Sequence, residues 1–298
     1  MEPSVGIVIV NYNGENYQND CIESLLDCGY KNFFIIIVDN KSTDDSMIKV
    51  EKLNNDKIIT IYNSSNLGIA EGNNIGIRKS IELGCYYTLL LNNDTVVEKG
   101  FLNKLTIDDE DLVTPKIYFY RENIIWYGGG KLGNMKGCSY HINYKRKDIK
   151  LNFKKYYNYA PTCCLLIKNS VFKTVGFMNK EYFLYFDDTD FMYKLYKKGF
   201  RIRLCQESVI YHKVSMSTGG ENSPIYTYYS NRNRLMYIKN NNLGLIPYLY
   251  SIITRKIKIL IFKIIKNDNW KYIQEALNDY KSKRFFRKED FDKIKDKY

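Results

Sequence analysis

Four short β-branched runs in the first hundred residues constrain this chain more than any other feature: Val5 to Val10, Phe33 to Val38, Ile58 to Tyr62 and Tyr87 to Leu91. Each is apolar without alternation, and helix-length segments separate them. Continuous runs of this kind joined by crossover-sized segments predict parallel strands covered on both faces, hence an α/β doubly wound, mostly parallel sheet. Each run ends in polar residues: Asn11-Tyr12-Asn13-Gly14, Asp39-Asn40-Lys41-Ser42, Asn63-Ser64-Ser65-Asn66 and Asn92-Asn93-Asp94. Ligands of such folds bind outside the carboxyl ends of the strands, so these endings are expected to meet in one crevice. Asn, Asp and Gly are also turn formers, which accounts for any one ending alone. Four with a matching period favour a site.

A second feature is Phe186-Asp187-Asp188-Thr189-Asp190-Phe191, set between an aromatic run and a Lys-rich amphipathic segment. It reads two ways. Asp is favoured at helix N-termini, and Thr189-Asp190 can serve there. The Asp187-Asp188 pair beside Phe183, Tyr185 and Phe186 goes further, because apolar surroundings make a carboxylate a better proton acceptor. Beyond residue 110 the pattern loosens into Leu112 to Tyr120 and a basic loop near Lys145 to Lys155, and Trp126-Tyr127-Gly128-Gly129-Gly130 reads as a hairpin or tight bend. A second ordered region runs from Thr162 to Val214. It holds a helix through Lys198, a strand from Arg201 to Cys205, and His212 ending Val209-Ile210-Tyr211.

Charge and cysteine narrow the class. The chain carries +12 overall, yet residues 251 to 298 hold 14 Lys or Arg against 7 Asp or Glu, a net +7. Concentration in the last sixth argues against nucleic acid as the partner of the whole domain and points to a surface for the C-terminus. There Ile253, Ile257, Leu260, Ile261 and Ile264 share one helical face, with Arg255, Lys256, Lys263 and Lys266 roughly opposite and Lys258 as an exception. Such a helix suits an anionic membrane interface; it also suits packing on the domain with a solvated Lys face. No stretch is apolar for long enough to span a bilayer. Seven cysteines without a CxxC pair are expected as reduced, mostly buried thiols. No secretory leader pattern opens the sequence, so the cytoplasm is expected, peripheral on the inner face of the cell membrane.

Taken in order, Val10-Asn11-Tyr12-Asn13-Gly14, Val38-Asp39-Asn40-Lys41-Ser42-Thr43-Asp44, Asn66-Leu67-Gly68 with Asn73-Asn74-Ile75-Gly76, Leu91-Asn92-Asn93-Asp94, the Asp187-Asp188 cluster and His212 resemble the inverting glycosyltransferase family 2, in its rhamnosyltransferase-like branch. The resemblance runs from residue 5 to about 240. It implies a GT-A fold over 1–240 and transfer of a sugar from a nucleotide diphosphate donor; together with the basic amphipathic helical tail read over 241–298, it leads to a saccharide acceptor, lipid-linked for a cell-surface glycan, as the expectation. Carried over position by position, Asp188 resembles the catalytic base, with Asp187 beside it. Asp94 and His212 resemble the ligands of a divalent metal, Mg or Mn. Asn11, Tyr12, Asn13, Asp39, Asn66, Gly68, Asn74, Asn93 and Arg232 fall at donor-binding positions, Asp39 at the one that holds base or ribose. Arg232-Asn233 is a further signature without a derivable role.

Two departures matter. Many relatives carry two carboxylates where this chain has Asn92-Asn93-Asp94, so metal binding would lean on the donor phosphates. Gly176-Phe177-Met178-Asn179-Lys180 lacks the acidic pair often found before the aromatic run. A catalytically idle relative that docks on membranes is the rival reading. No GxGxxG follows the first strand, which excludes a dinucleotide dehydrogenase, and no Gly-rich basic loop follows it, which argues against a nucleotidylyltransferase.

Overall fold

The computed structural model describes residues 2–149, 151–214, 220 and 223–284; residues 285–298, the end of the basic tail, lie outside the described residues. The four apolar runs become β1 (Val5–Asn11), β2 (Phe33–Asp39), β3 (Ile58–Tyr62) and β4 (Tyr87–Leu91), with α1 (Gln18–Leu26), α2 (Ser46–Lys52) and α3 (Gly68–Glu82) as crossovers. The strands lie parallel in the order β3-β2-β1-β4. β1, β2 and β4 are almost wholly buried, as expected for strands covered on both faces.

The next elements are β5 (Thr95–Val97), α4 (Phe101–Thr106), β6 (Leu112–Phe119), β7 (Ile125–Tyr127), β8 (Gly130–Gly133), β9 (Cys138–His141), β10 (Tyr156–Tyr157), β11 (Cys164–Lys168) and α5 (Asn169–Val175). Then come α6 (Asp187–Lys197) and β12 (Ile202–His212). β11 runs antiparallel to β4 and β6 and carries the sheet on to β6 and β12, which are parallel to each other. The segments Arg201 to Cys205 and Val209 to Tyr211 are one strand. A register shift between Cys205 and Val209 joins them and delivers His212 to the same end as Asp94. The Gly-rich bend is indeed a turn from β7 into the β8–β9 hairpin. Gly129 has φ +109°, and a Cβ there would fall on the Tyr157 ring.

Three helices close the described chain: α7 (Pro224–Asn240), α8 (Leu245–Ile264) and α9 (Asn269–Lys281). They share a second core, in which Leu235 and Ile238 of α7 meet Ile259 of α8, Ile273 and Leu277 of α9, and Tyr182. Pro at the first turn of α7 and Ser223 accepting from the Tyr226 N–H fix where α7 starts. Among the described residues no helix is long and apolar enough to cross a membrane. All seven cysteines are free thiols, and all but Cys138 are buried.

Candidate active site

The carboxyl ends of β1 to β4 open on one cleft of about 870 Å³. Its wall includes Tyr12, Asn13, Asn66, Gly68, Asn93 and Asp94, and it also takes in Asp187, Asp188 and His212. Residues from distant parts of the sequence therefore face one space.

Behind the wall, a network of side chains holds the strand ends together. Asn11 and Asp39 are opposite each other in the β1–β2 register. The Asn11 amide donates to Asp39, Ser42 and Ser46, while Asp39 also accepts the Ser42 N–H at 3.0 Å. Asn93 donates to the Asn11 Oδ1 at 3.0 Å and so ties β4 to β1. Asn13, with φ 54°, accepts the Thr43 N–H at 2.8 Å. Asn11 and Asp39, expected at donor-binding positions, are both buried and lie behind the cleft wall, with their polar atoms bonded to neighbouring strand ends.

The metal positions come together. Asp94 Oδ1 lies 3.0 Å from His212 Nε2, both nearly enclosed. Burial raises the Asp94 carboxyl, but the His212 charge and hydrogen bond outweigh it and hold it below its ordinary value. Burial opposes charge on His212, yet Cys163 and Asp94 together push it well up. Asp94 Oδ1 and His212 Nδ1 still lack a well-aligned hydrogen bond. A carboxylate oxygen and an imidazole 3.0 Å apart match the edge of an octahedron with ligands at about 2.1 Å, so this pair fits a hard divalent ion. Among the described residues no third His, Cys, Asp or Glu joins them. The Trp126 ring packs edge-on against His212 at 4.4 Å, shielding that end.

The acidic cluster opens α6. Three carboxylates in the first turn face the positive end of the helix dipole. They divide the work. Asp190 accepts from Asn241 at 2.6 Å and from Tyr182, anchoring α6 to the turn after α7. Asp187 is buried, and burial followed by the Asp188 charge pushes its carboxyl well up, which favours the neutral acid. Asp188 is more open and accepts the Tyr159 hydroxyl at 2.6 Å. Burial and the Asp188 charge keep that phenol protonated. Thr189 meets Ser139 of β9 at 3.0 Å, so the hairpin clamps the same turn.

Ahead of the helix, Tyr185 and Phe186 both have positive φ, 64° and 67°. Two such non-glycine residues in succession are costly and need outside support. Asn233 supplies it, donating to the carbonyls of Leu184 at 2.8 Å and Tyr185 at 2.9 Å. Arg232 Nε donates in turn to Asn233 Oδ1 at 3.0 Å. That gives the Arg232-Asn233 signature a structural role: Arg232, expected at a donor-binding position, is fully buried against Tyr228 and Tyr229 and does not line the cleft. Asn74, expected at a donor-binding position, does not line the cleft either: its amide bridges the Met178 N–H and C=O. Gly68, at φ +79°, lets this strap pass, since a Cβ would strike the Phe183 carbonyl that accepts the Ile69 N–H.

Trp126, Ser139, His141 and Tyr159 reach the cleft and are not singled out by the sequence. The aromatic residues flanking the Gly-rich bend were the available signal.

A profile of the glycosyl transferase family 2 matches residues 6–176, more than half of the chain. A dTDP-rhamnosyl transferase of Shigella flexneri, RfbF, is 23% identical over 291 residues, covering 93% of this chain and 94% of its own. A mannosyltransferase of Pyrobaculum calidifontis solved with GDP-Man and Mn²⁺ superposes with TM-score 0.59 at 11% identity, covering 94% of this chain and 87% of that one. GalNAc-T7, solved with UDP, GalNAc and Mn²⁺, gives TM-score 0.63 at 16% identity over 80% of this chain, which spans about half (48%) of that one. With its mostly parallel GT-A sheet and its cleft at the strand ends, the chain belongs to glycosyl transferase family 2.

Proposed function

We propose that this enzyme moves a sugar, with inversion, from a nucleoside diphosphate donor to a hydroxyl of a lipid-linked saccharide. The observation that carries the reading is the opening of the Asp94–His212 pair and of Asp188 onto one cleft. Tyr12, Asn13, Asn66, Gly68 and Asn93 form the wall for the donor. Asp94 and His212 would hold a divalent ion, Mg or Mn, which when bound neutralises charge on the departing diphosphate.

Asp188 takes the proton of the acceptor hydroxyl as its oxygen bonds the anomeric carbon and the bond to the diphosphate oxygen breaks. General-base help of this kind contributes typically 10²- to 10⁴-fold. Tyr159 fixes the orientation of Asp188. Asp187, pushed toward its neutral form by burial, is a poor nucleophile. A single displacement with one free carboxylate follows, and it inverts the anomeric centre. Asp188→Asn protein that still binds donor should lose turnover by about that factor. Wild-type turnover in that variant would remove the base from the scheme.

α8 supports the membrane part of the reading. Leu245, Ile246, Leu249, Ile253, Ile257, Leu260, Ile261 and Ile264 face outward, whereas every fourth residue, Pro247, Ser251, Arg255 and Ile259, packs inward. The face expected opposite the isoleucines is thus split, with Arg255 buried and Lys256, Lys263 and Lys266 exposed. An apolar stripe of this size edged by lysines suits an anionic lipid interface, which on this reading is the cytoplasmic face of the cell membrane. Ile257→Glu with Leu260→Glu should weaken binding to vesicles of 30% anionic lipid. Equal binding by that variant would refute the stripe.

A further inference from the structure

Between the cleft and the outward stripe of α8 lies a group of cations with no acid among them. Arg234 of α7 forms part of the cleft wall, with its guanidinium 5.9 Å from the centre of the Phe186 ring, one residue from the acidic pair. Arg255 of α8 is 4% exposed. Its Nη1 donates to the Ser251 carbonyl at 2.8 Å. The Nε atoms of both arginines are buried without a partner, and so is the Ser251 hydroxyl. No carboxylate of the described residues pairs with Arg234, Arg255 or Lys258.

A buried guanidinium without a counter-ion is costly, and two that feel each other are more so. Burial and then Arg234 push Arg255 down to about 9, and burial with Arg255 and Arg234 also lowers Lys258. The partners that the chain gives these cations are uncharged: the Ser251 carbonyl for Arg255, the Phe186 ring for Arg234 and the Phe262 ring for Lys258. Forked guanidiniums are the groups best matched to phosphate oxygens.

We infer that Arg234, Arg255 and Lys258 form a binding site for the phosphate group of a lipid-linked acceptor, placed between the lipid-facing stripe of α8 and the Asp188 end of the cleft. The site rests on the acceptor side of the proposed function and is separate from the donor phosphates, which belong to the Asp94–His212 end. Its position is what such an acceptor needs. The chain tail would run along α8, the phosphate would meet the arginines, and the sugar would extend past Phe186 toward Asp188.

The test uses the full chain with metal chelated, so that the Asp94–His212 end stays unloaded. Farnesyl diphosphate in zwitterionic micelles and inorganic pyrophosphate are titrated separately. Farnesyl diphosphate should bind at least tenfold tighter than pyrophosphate, Arg255→Gln should lose at least tenfold of that affinity, and Arg255→Lys should fall between. Arg255→Gln without ligand should melt no lower than wild type, because an uncompensated buried charge is gone. If it does not fold, Lys258→Gln takes its place, with a threefold or greater loss expected. Unchanged affinity in these variants would overturn the site, and equal affinity for pyrophosphate would overturn its lipid-linked ligand. Stabilisation by a nucleotide sugar with Mn²⁺, measured on the same proteins, reads the donor end independently; its failure in wild type would sink the functional reading without touching the anion result.

Discussion

The two ends of the cleft are built differently. At the end proposed for the donor, Asn11, Asp39 and Asn93 come from strand ends, and Asn11 bonds Asp39, Asn93, Ser42 of the following loop and Ser46 at the start of α2 in a lattice set by strand register. At the base end, Asp188 depends on Tyr159, 29 positions away, and its strap depends on Asn233, 48 positions from Tyr185. The first end is a by-product of the parallel sheet. The second is assembled by long-range contacts and carries two residues in a costly backbone conformation. Damage at the donor end should therefore weaken binding, and damage at the base end should slow turnover.

The largest effect sharpens that division. Asp188→Asn should lower kcat by roughly 10²- to 10⁴-fold while donor affinity changes by less than about threefold. A parallel loss of donor affinity would merge the two ends. Asp94→Asn should do the converse, weakening Mn²⁺-dependent donor binding by on the order of tenfold to a hundredfold, as calorimetry can read. Next, Tyr159→Phe removes a hydrogen bond to a charged group worth about 1.5–3 kcal/mol, so kcat should fall by roughly 10- to 100-fold with donor KM unchanged. If KM moves instead, Tyr159 serves the donor.

The smallest effect concerns pH. The Asp187 carboxyl is raised in the folded protein, so the native state holds a proton that the unfolded chain releases at lower pH. Stability from this group is complete below the unfolded value near 3.9 and is lost as pH rises toward the folded one. Asp187→Asn removes the loss. Its melting temperature relative to wild type should climb as pH goes from about 5 to about 8, by a few degrees. A constant offset across that range would show that Asp187 titrates alike in both states.

Much of this was legible in the chain. Four apolar runs announced four parallel strands, and their polar endings marked the crevice, because strand direction alone puts those ends together. The same pattern did not tell residues that line the cleft from those that brace it. Strand ends adjacent in register, such as Asn11 and Asp39, satisfy each other first. Asn74 and Arg232 lay in matching motifs, yet each supports a loop: Asn74 the Met178 segment and Arg232 the amide of Asn233. Tyr159 and Ser139 left no trace because a lone tyrosine or serine between weak strands has no periodicity to betray its direction.

The helix α8 makes the boundary plain. Its sequence determined that it is amphipathic, since a 3.6-residue period is a property of the helix alone. Which face turns inward was decided by the tertiary structure, which buries Ser251, Arg255 and Ile259 and leaves Ile253, Ile257, Ile261 and Ile264 outside. Sequence by itself fixes local geometry and the order of elements, because backbone preference and hydrophobic period act over a few residues. The meeting of Asp94 with His212, and of Asp188 with Tyr159, depends on strand order and helix docking. Those are settled only when the whole apolar surface is buried at once.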